Sequence, residues 1–206
     1  HEEGWVYSAY RYAKLFEMFG KPSMDVSPNY SRFANLKAAA LAEAAPEAKI
    51  LMLVRDPAAR LWSAARMQAR RQGREEVVQS LEGLQAYAAI DGVRQRSTQG
   101  RALRVWRKAA GRERVGAYAF DRLIEDPVAL RQEIARFCGL DPEGFAQAPV
   151  EDRKAERSEP VPLPKGAERW MAEHFADEYE ALAEDLPPWS QAWAARAEAL
   201  RAGQDA

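Results

Sequence analysis

The chain has 206 residues, 47% of them hydrophobic and 30% charged, with a formal net charge of −1. That size and mix suit one globular domain rather than a disordered chain, and the near-neutral balance removes any global electrostatic case for nucleic acid or an anionic membrane. No apolar run approaches the ~20 residues that span a bilayer, no signal-peptide pattern opens the chain, and the single cysteine, Cys138, excludes an intramolecular disulfide and suits a reducing, cytoplasmic setting.

From the N-terminus, "WVYSAYRYAKLFEMFG" sets Tyr12, Phe16 and Phe19 at i, i+4, i+7 and stops at Gly20, the pattern of an amphipathic helix with a glycine cap. "SMDVSPNY" reads as a short strand through Met24 and Val26, closed by a turn at Ser27-Pro28, because proline cannot extend a central ladder. The alanine-rich "SRFANLKAAALAEAAPEA" is helical up to Pro46. Ile50 to Val54 form an uninterrupted apolar run, which predicts a strand buried on both faces of a parallel sheet. Helices are predicted over residues 57 to about 72, over 75–96 and over 101–110.

"RVGAYAF", residues 114–120, is a second core strand, expected to pair in parallel with the first. "DPVALRQEIARFCGLD" puts Leu130, Ile134, Phe137 and Cys138 on one helical face and stops at Gly139. Residues 147–166 carry four prolines and read as a long loop, and "GAERWMAEHFADEYEALAEDL" is a last amphipathic helix ended by Pro187-Pro188. No repeat of fixed period interrupts this order, which predicts an α/β fold with a mostly parallel sheet flanked by helices.

The turn after the first strand carries the chemistry. Arg55-Asp56-Pro57 stands at the strand's carboxyl end, where open α/β sheets bind ligands. Pro57 suits the first helical position and Asp56 the N-cap. A helix start offers free N–H groups to an anion. Arg55 adds a forked donor matched to phosphate, and the Ser63 hydroxyl follows two turns later. From these residues alone the structural alternative stays open: Asp-Pro begins many helices, and Arg55 then pairs with a nearby carboxylate.

The wider arrangement bears on that choice. "PEAKILMLVRDPAARLWS" resembles the 3′-phosphate-binding segment of sulfotransferases that use 3′-phosphoadenosine 5′-phosphosulfate (PAPS): Lys49, the apolar strand, Arg55-Asp56-Pro57, Arg60, Ser63. Ser27-Pro28-Asn29-Tyr30 is similar to that family's (Ser/Thr)-Pro-x-Tyr turn. "RVWRKAAGRERVGAYAFDRLIEDPVALRQEIARFCGLD" and "PLPKGAERWMAEHFADEYEAL" are similar to its later series, so the likeness runs over about residues 10–186. The resemblance implies a P-loop nucleotide-kinase-like architecture and a single sulfotransferase-like domain over residues 1–206. It implies PAPS as co-substrate, with adenosine 3′,5′-bisphosphate as product, and a small-molecule, lipid or glycan acceptor. It assigns the 3′-phosphate to Arg55 and Ser63, and gives Arg153 and Lys154 to a late basic loop over the nucleotide.

Two departures stand beside the likeness. The family's 5′-phosphosulfate loop is expected upstream of His1, so the sequence reads as part of something longer. Gly20-Lys21 does not replace that loop, because a Walker spacing needs glycine where Leu15 stands and Pro22 bars a helix interior. The family's tyrosine seven residues before Trp106 is Gln99 here. A catalytic base is left unassigned, since His1, Glu2 and Glu3 fall in no motif. A kinase of related fold and a non-catalytic nucleotide-binding module remain the alternatives.

The other candidates read as structural. His174 has no second histidine near it and Cys138 lies on an apolar helix face, so neither suggests a metal site, and none is predicted. Trp5, Tyr7, Tyr10 and Tyr12 suit core packing better than an acceptor pocket. Arg66, Arg70, Arg71 and Arg74 read as a solvated helix face before a glycan site.

Overall fold

Two five-residue strands set the frame of the computed structural model, which describes residues 2–17, 23–33, 35–147 and 161–203. β1 (Ile50–Val54) pairs in parallel with β2 (Val115–Ala119), from Ile50 opposite Val115 to Val54 opposite Ala119. Among the described residues these two strands make up the whole sheet. α1 (Glu2–Glu17) and α2 (Asn35–Ala44) precede β1. The crossover to β2 holds α3 (Pro57–Arg71), α4 (Leu81–Ala89), α5 (Asp91–Ser97) and α6 (Gln99–Ala110). After β2 come α7 (Arg122–Glu125), α8 (Pro127–Cys138), α9 (Pro142–Gln147), α10 (Ala167–His174), α11 (Ala176–Leu182) and α12 (Trp189–Arg201). The result is an α/β fold, mostly helical around a small parallel sheet. Its core gathers Val54, Leu61, Leu84, Leu103, Met171 and Leu182, with Trp106 and Phe175 beside them.

The parallel pairing is the one expected, but burial on both faces is not. Leu53 is 42% exposed, so the described residues leave that face of β1 partly open. Residues 23–27 form no strand. Met24 and Val26 are 74% and 77% exposed, and the chain instead enters a 3₁₀ turn, Pro28–Arg32. Among the described residues no strand lies beside this segment to pair with it, and two apolar residues cannot hold a strand alone.

The helix expected over 75–96 is three pieces: a 3₁₀ turn over Glu75–Gln79, then α4 and α5. The Ser80 hydroxyl accepts the Gly83 N–H at 3.1 Å and starts α4 afresh. The chain folds back so tightly there that a Cβ on Gly83 would lie 1.7 Å from the Val77 carbonyl oxygen. The last predicted helix breaks at Phe175, which turns its ring into the core between α10 and α11. α12 lies beyond Pro187-Pro188, where no helix was expected. Phe19, Gly20, Lys21, His1 and most of the expected 147–166 loop lie outside the described residues.

Candidate functional site

The site begins where β1 stops. The Arg55 backbone N–H donates to Gln99 Oε1 at 3.0 Å, and Gln99 Nε2 donates to the Leu53 carbonyl at 3.0 Å. In a parallel ladder one residue of the neighbouring strand makes such a pair of bonds. The buried Gln99 carboxamide, at the start of α6, stands in for that residue on the edge of β1 away from β2. On the β2 side the Phe120 N–H donates to the Val54 carbonyl at 2.7 Å. The Arg55 guanidinium lies 5.3 Å from the centre of the Phe120 ring, a cation–π distance. Backbone and side chain of Arg55 are therefore fixed from opposite sides.

The start of α3 is filled. Asp56, only 4% exposed, accepts the N–H groups of Ala58 (2.8 Å) and Ala59 (3.2 Å) through Oδ1, and its carbonyl accepts the Arg60 N–H at 2.8 Å. Tyr179 of α11 donates to the same Oδ1 at 3.2 Å, and Arg196 of α12 pairs with Oδ2. Pro57 has no N–H. The first turn thus keeps no free backbone donor, and the expectation that this helix start would offer one to an anion is corrected: the N-cap carboxylate already occupies it.

What remains for an anion is side-chain charge. Arg60 follows Arg55 on the first turn of α3, and its pKa is held below the usual arginine value, first by burial and then by the positive charges of Arg96 and Arg55. Arg96, on α5, reaches Asn29 Oδ1 through Nη2 at 3.4 Å. Its Nε is a buried donor with no hydrogen-bond partner. Arg32 leans on the same patch: a Cβ on Gly92 would meet Arg96 Nη1 at 3.8 Å and Arg32 Cζ at 4.0 Å. Among the described residues no carboxylate pairs with Arg55, Arg60 or Arg96. Like charges held together without a counter-charge, one with an unmet donor, are matched to a polyanionic group.

Of the four residues expected to bind nucleotide, Arg55 lies in this cluster. Ser63 is exposed on α3, one turn past Arg60 and on the same strip, but no hydrogen bond among the described residues joins it to Arg55. Arg153 and Lys154 lie outside the described residues. Arg96 and Gln99 were not read as site residues, although Gln99 stood out as a departure. Arg60 was legible as part of the Arg-Asp-Pro segment, without a role.

The Ser27-Pro28-Asn29-Tyr30 turn joins the cluster to a second polar group. Ser27 caps the turn by accepting the Asn29 N–H at 3.2 Å, Asn29 holds Arg96, and the Tyr30 carbonyl accepts Trp106 Nε1–H at 3.1 Å. The hydroxyls of Tyr30 and Tyr12 both donate to Asp25 Oδ2. Those two bonds hold the Asp25 carboxyl below the usual carboxylate range, Tyr12 contributing first. Burial, then the bond to Asp25, pushes the Tyr30 phenol up. Metal-ligand groupings are absent among the described residues.

A small parallel sheet surrounded by helices, with an arginine cluster at the carboxyl end of its first strand, defines the molecule as an α/β domain. The family model described as "Sulfotransferase family" matches residues 6–144, and the chain belongs to that family. A crystal structure of a sulfotransferase from Alicyclobacillus acidocaldarius is similar in fold, with 21% sequence identity and a TM-score of 0.55. That match covers 75% of this chain and 60% of the other, so the chain spans about three fifths of that structure's length. No curated protein matches the chain.

Proposed function

We propose that residues 1–206 form one sulfotransferase-like domain that grips PAPS by its 3′-phosphate and serves transfer of a sulfuryl group to a hydroxyl or amine of a small-molecule, lipid or glycan acceptor. The observation that carries this reading is the Arg55–Arg60–Arg96 cluster at the end of β1, which no carboxylate among the described residues pairs with, in a chain of the sulfotransferase family. Bound PAPS supplies the sulfuryl group and leaves as adenosine 3′,5′-bisphosphate. The Arg55 fork binds the 3′-phosphate, with its direction fixed by Gln99 and Phe120. The buried Arg96 Nε meets the partner it lacks, and Arg60 is relieved of like-charge repulsion. Ser63 adds one hydroxyl donor, and Arg153 and Lys154 cover the nucleotide. A reducing, cytoplasmic setting belongs to the same reading, as does the absence of a nucleic-acid partner.

Arg55→Ala tests it. Affinity for adenosine 3′,5′-bisphosphate is expected to fall by about 2–4 kcal/mol, the scale of a desolvated charge pair losing one member. Affinity for adenosine 5′-phosphate should barely move. Ser63→Ala should show the same selectivity at about 1 kcal/mol, one hydrogen bond. Calorimetric titration of both ligands, with a melting curve for each variant, reads the difference. Equal losses for both nucleotides would reject the 3′-phosphate role and return Arg55 to a structural one. A wild type indifferent to the 3′-phosphate would point to a kinase-like site instead.

A further inference from the structure

α6 and α11 meet along a cavity of about 310 Å³. It lies apart from the arginine cluster: α6 begins at Gln99 beside β1, and Arg107 stands roughly 12 Å further along the helix. One wall is cationic, made by Arg104 and Arg107 of α6 and by Arg112 from the 3₁₀ turn that follows it. The other is anionic, made by Glu180 of α11 with Glu184 and Asp185 just beyond its end. Ala181 completes the lining.

The two walls are tied at one point. Arg107 pairs with Asp185, and both side chains are largely buried, 16% and 11% exposed. Arg107 Nε is a buried donor with no partner, so this pair leaves one bond unmade. Arg104, Arg112, Glu180 and Glu184 are exposed, and no ion pair joins them among the described residues. A further carboxylate that acts on Arg104, Glu178, is buried, and its oxygens accept the N–H groups of Gly100 and Arg101. Two cations and two anions are thus left unpaired around the opening. A guest of one sign is drawn to one wall and repelled by the other, whereas a guest with opposite charges at its two ends lies along the field. The arginine stems and Ala181 give the middle of such a guest hydrocarbon to lie on. Water takes about 30 Å³ per molecule, so the cavity has the room of roughly ten waters, enough for a chain of several carbons.

We infer that this cavity is a binding site for a small linear zwitterion, with a carboxylate at one end, an ammonium at the other and methylenes between. The carboxylate lies against Arg104 and Arg112, and the ammonium against Glu180 and Glu184. The site does not rest on the sulfuryl-transfer reading, because none of its residues belongs to the arginine cluster at the end of β1.

Calorimetry at low salt compares 6-aminohexanoate, hexanoate and hexylammonium on the full chain, with a melting curve for each variant. The wild type should bind 6-aminohexanoate about fivefold or more tighter than either singly charged probe. Arg104→Gln combined with Arg112→Gln removes the open charges of the cationic wall, so hexylammonium should then bind at least as well as the zwitterion. Glu180→Gln combined with Glu184→Gln should tip the preference the other way, toward hexanoate. The three-probe comparison on wild type needs no substitution, so it decides the matter even where a variant fails to fold. No binding of 6-aminohexanoate, a singly charged probe that binds the wild type as tightly, or a preference that neither folded pair of substitutions shifts would overturn the site.

Discussion

Gln99 shows how much one side chain can hold at the end of a two-stranded sheet. Its carboxamide donates to Leu53 and accepts from Arg55, and a leucine in its place leaves two backbone groups unmet, at about 1–3 kcal/mol each. Gln99→Leu should therefore lower stability in chemical denaturation. It should also weaken adenosine 3′,5′-bisphosphate more than adenosine 5′-phosphate, because Arg55 loses its anchor; loss of stability alone would reduce Gln99 to a core residue. Arg60 predicts the opposite trade. A half-buried guanidinium pressed by Arg96 and Arg55 costs the unliganded fold, so Arg60→Met should raise Tm by about 2–4 °C, the shift that about 1 kcal/mol gives a chain of this size. It should weaken the bisphosphate at the same time. At this scale the sequence revealed Arg55, because a strand, Asp-Pro and a helix pattern surround it. It concealed the partnership with Gln99 and Arg96, because those residues come from α5 and α6, and no local pattern encodes a contact across such a separation.

The helices owe their starts to distant carboxylates as much as to their own caps. α6 has no side-chain cap from Thr98; Glu178 of α11 accepts the N–H groups of Gly100 at 2.7 Å and Arg101 at 3.3 Å. The fit is close enough that a Cβ on Gly100 would lie 3.0 Å from Ala181 Cβ and 3.0 Å from Glu178 Oε2. Gly100→Ala is accordingly expected to cost about 1–3 kcal/mol through overpacking, read by urea denaturation. Burial raises the Glu178 pKa above its ordinary 4.5, against the two N–H bonds that lower it. A raised folded-state value means that the folded chain holds the proton more tightly than the unfolded one. That contribution is complete below 4.5 and is lost as pH rises through the raised value. Relative to Glu178→Gln, the wild type should gain stability as pH falls from neutral into that window, measured as the difference in Tm between the two across pH. In α3, where Asp56 caps its own helix, the boundaries were legible to within a residue. The break at Ser80 and the bend at Phe175 were not, because each depends on what the chain packs against rather than on its period.

For the molecule as a whole, the order of strand, helices, strand and helices was readable, and with it the parallel pairing. The number of strands was not, since a strand is completed by its neighbour, and the Met24–Val26 segment has none. α12 escaped notice because its buried side, Ser190, Trp193 and Ala197, is narrow, yet its Arg196 pairs with the Asp56 that begins α3. The C-terminal helices thus brace the turn that carries Arg55. The parallel register also has a kinetic side. No hairpin can bring Ile50 to Val115, so the sheet closes only after α3, α4, α5 and α6 have drawn the strand ends together. The search for that closure is expected to set the pace of folding, because contacts distant in sequence close slowly. In a chevron analysis, Leu84→Ala and Leu103→Ala, both fully buried in the crossover, should slow refolding in proportion to the stability they remove. Ala197→Gly, buried in the C-terminal helix outside the crossover, should act mainly by speeding unfolding.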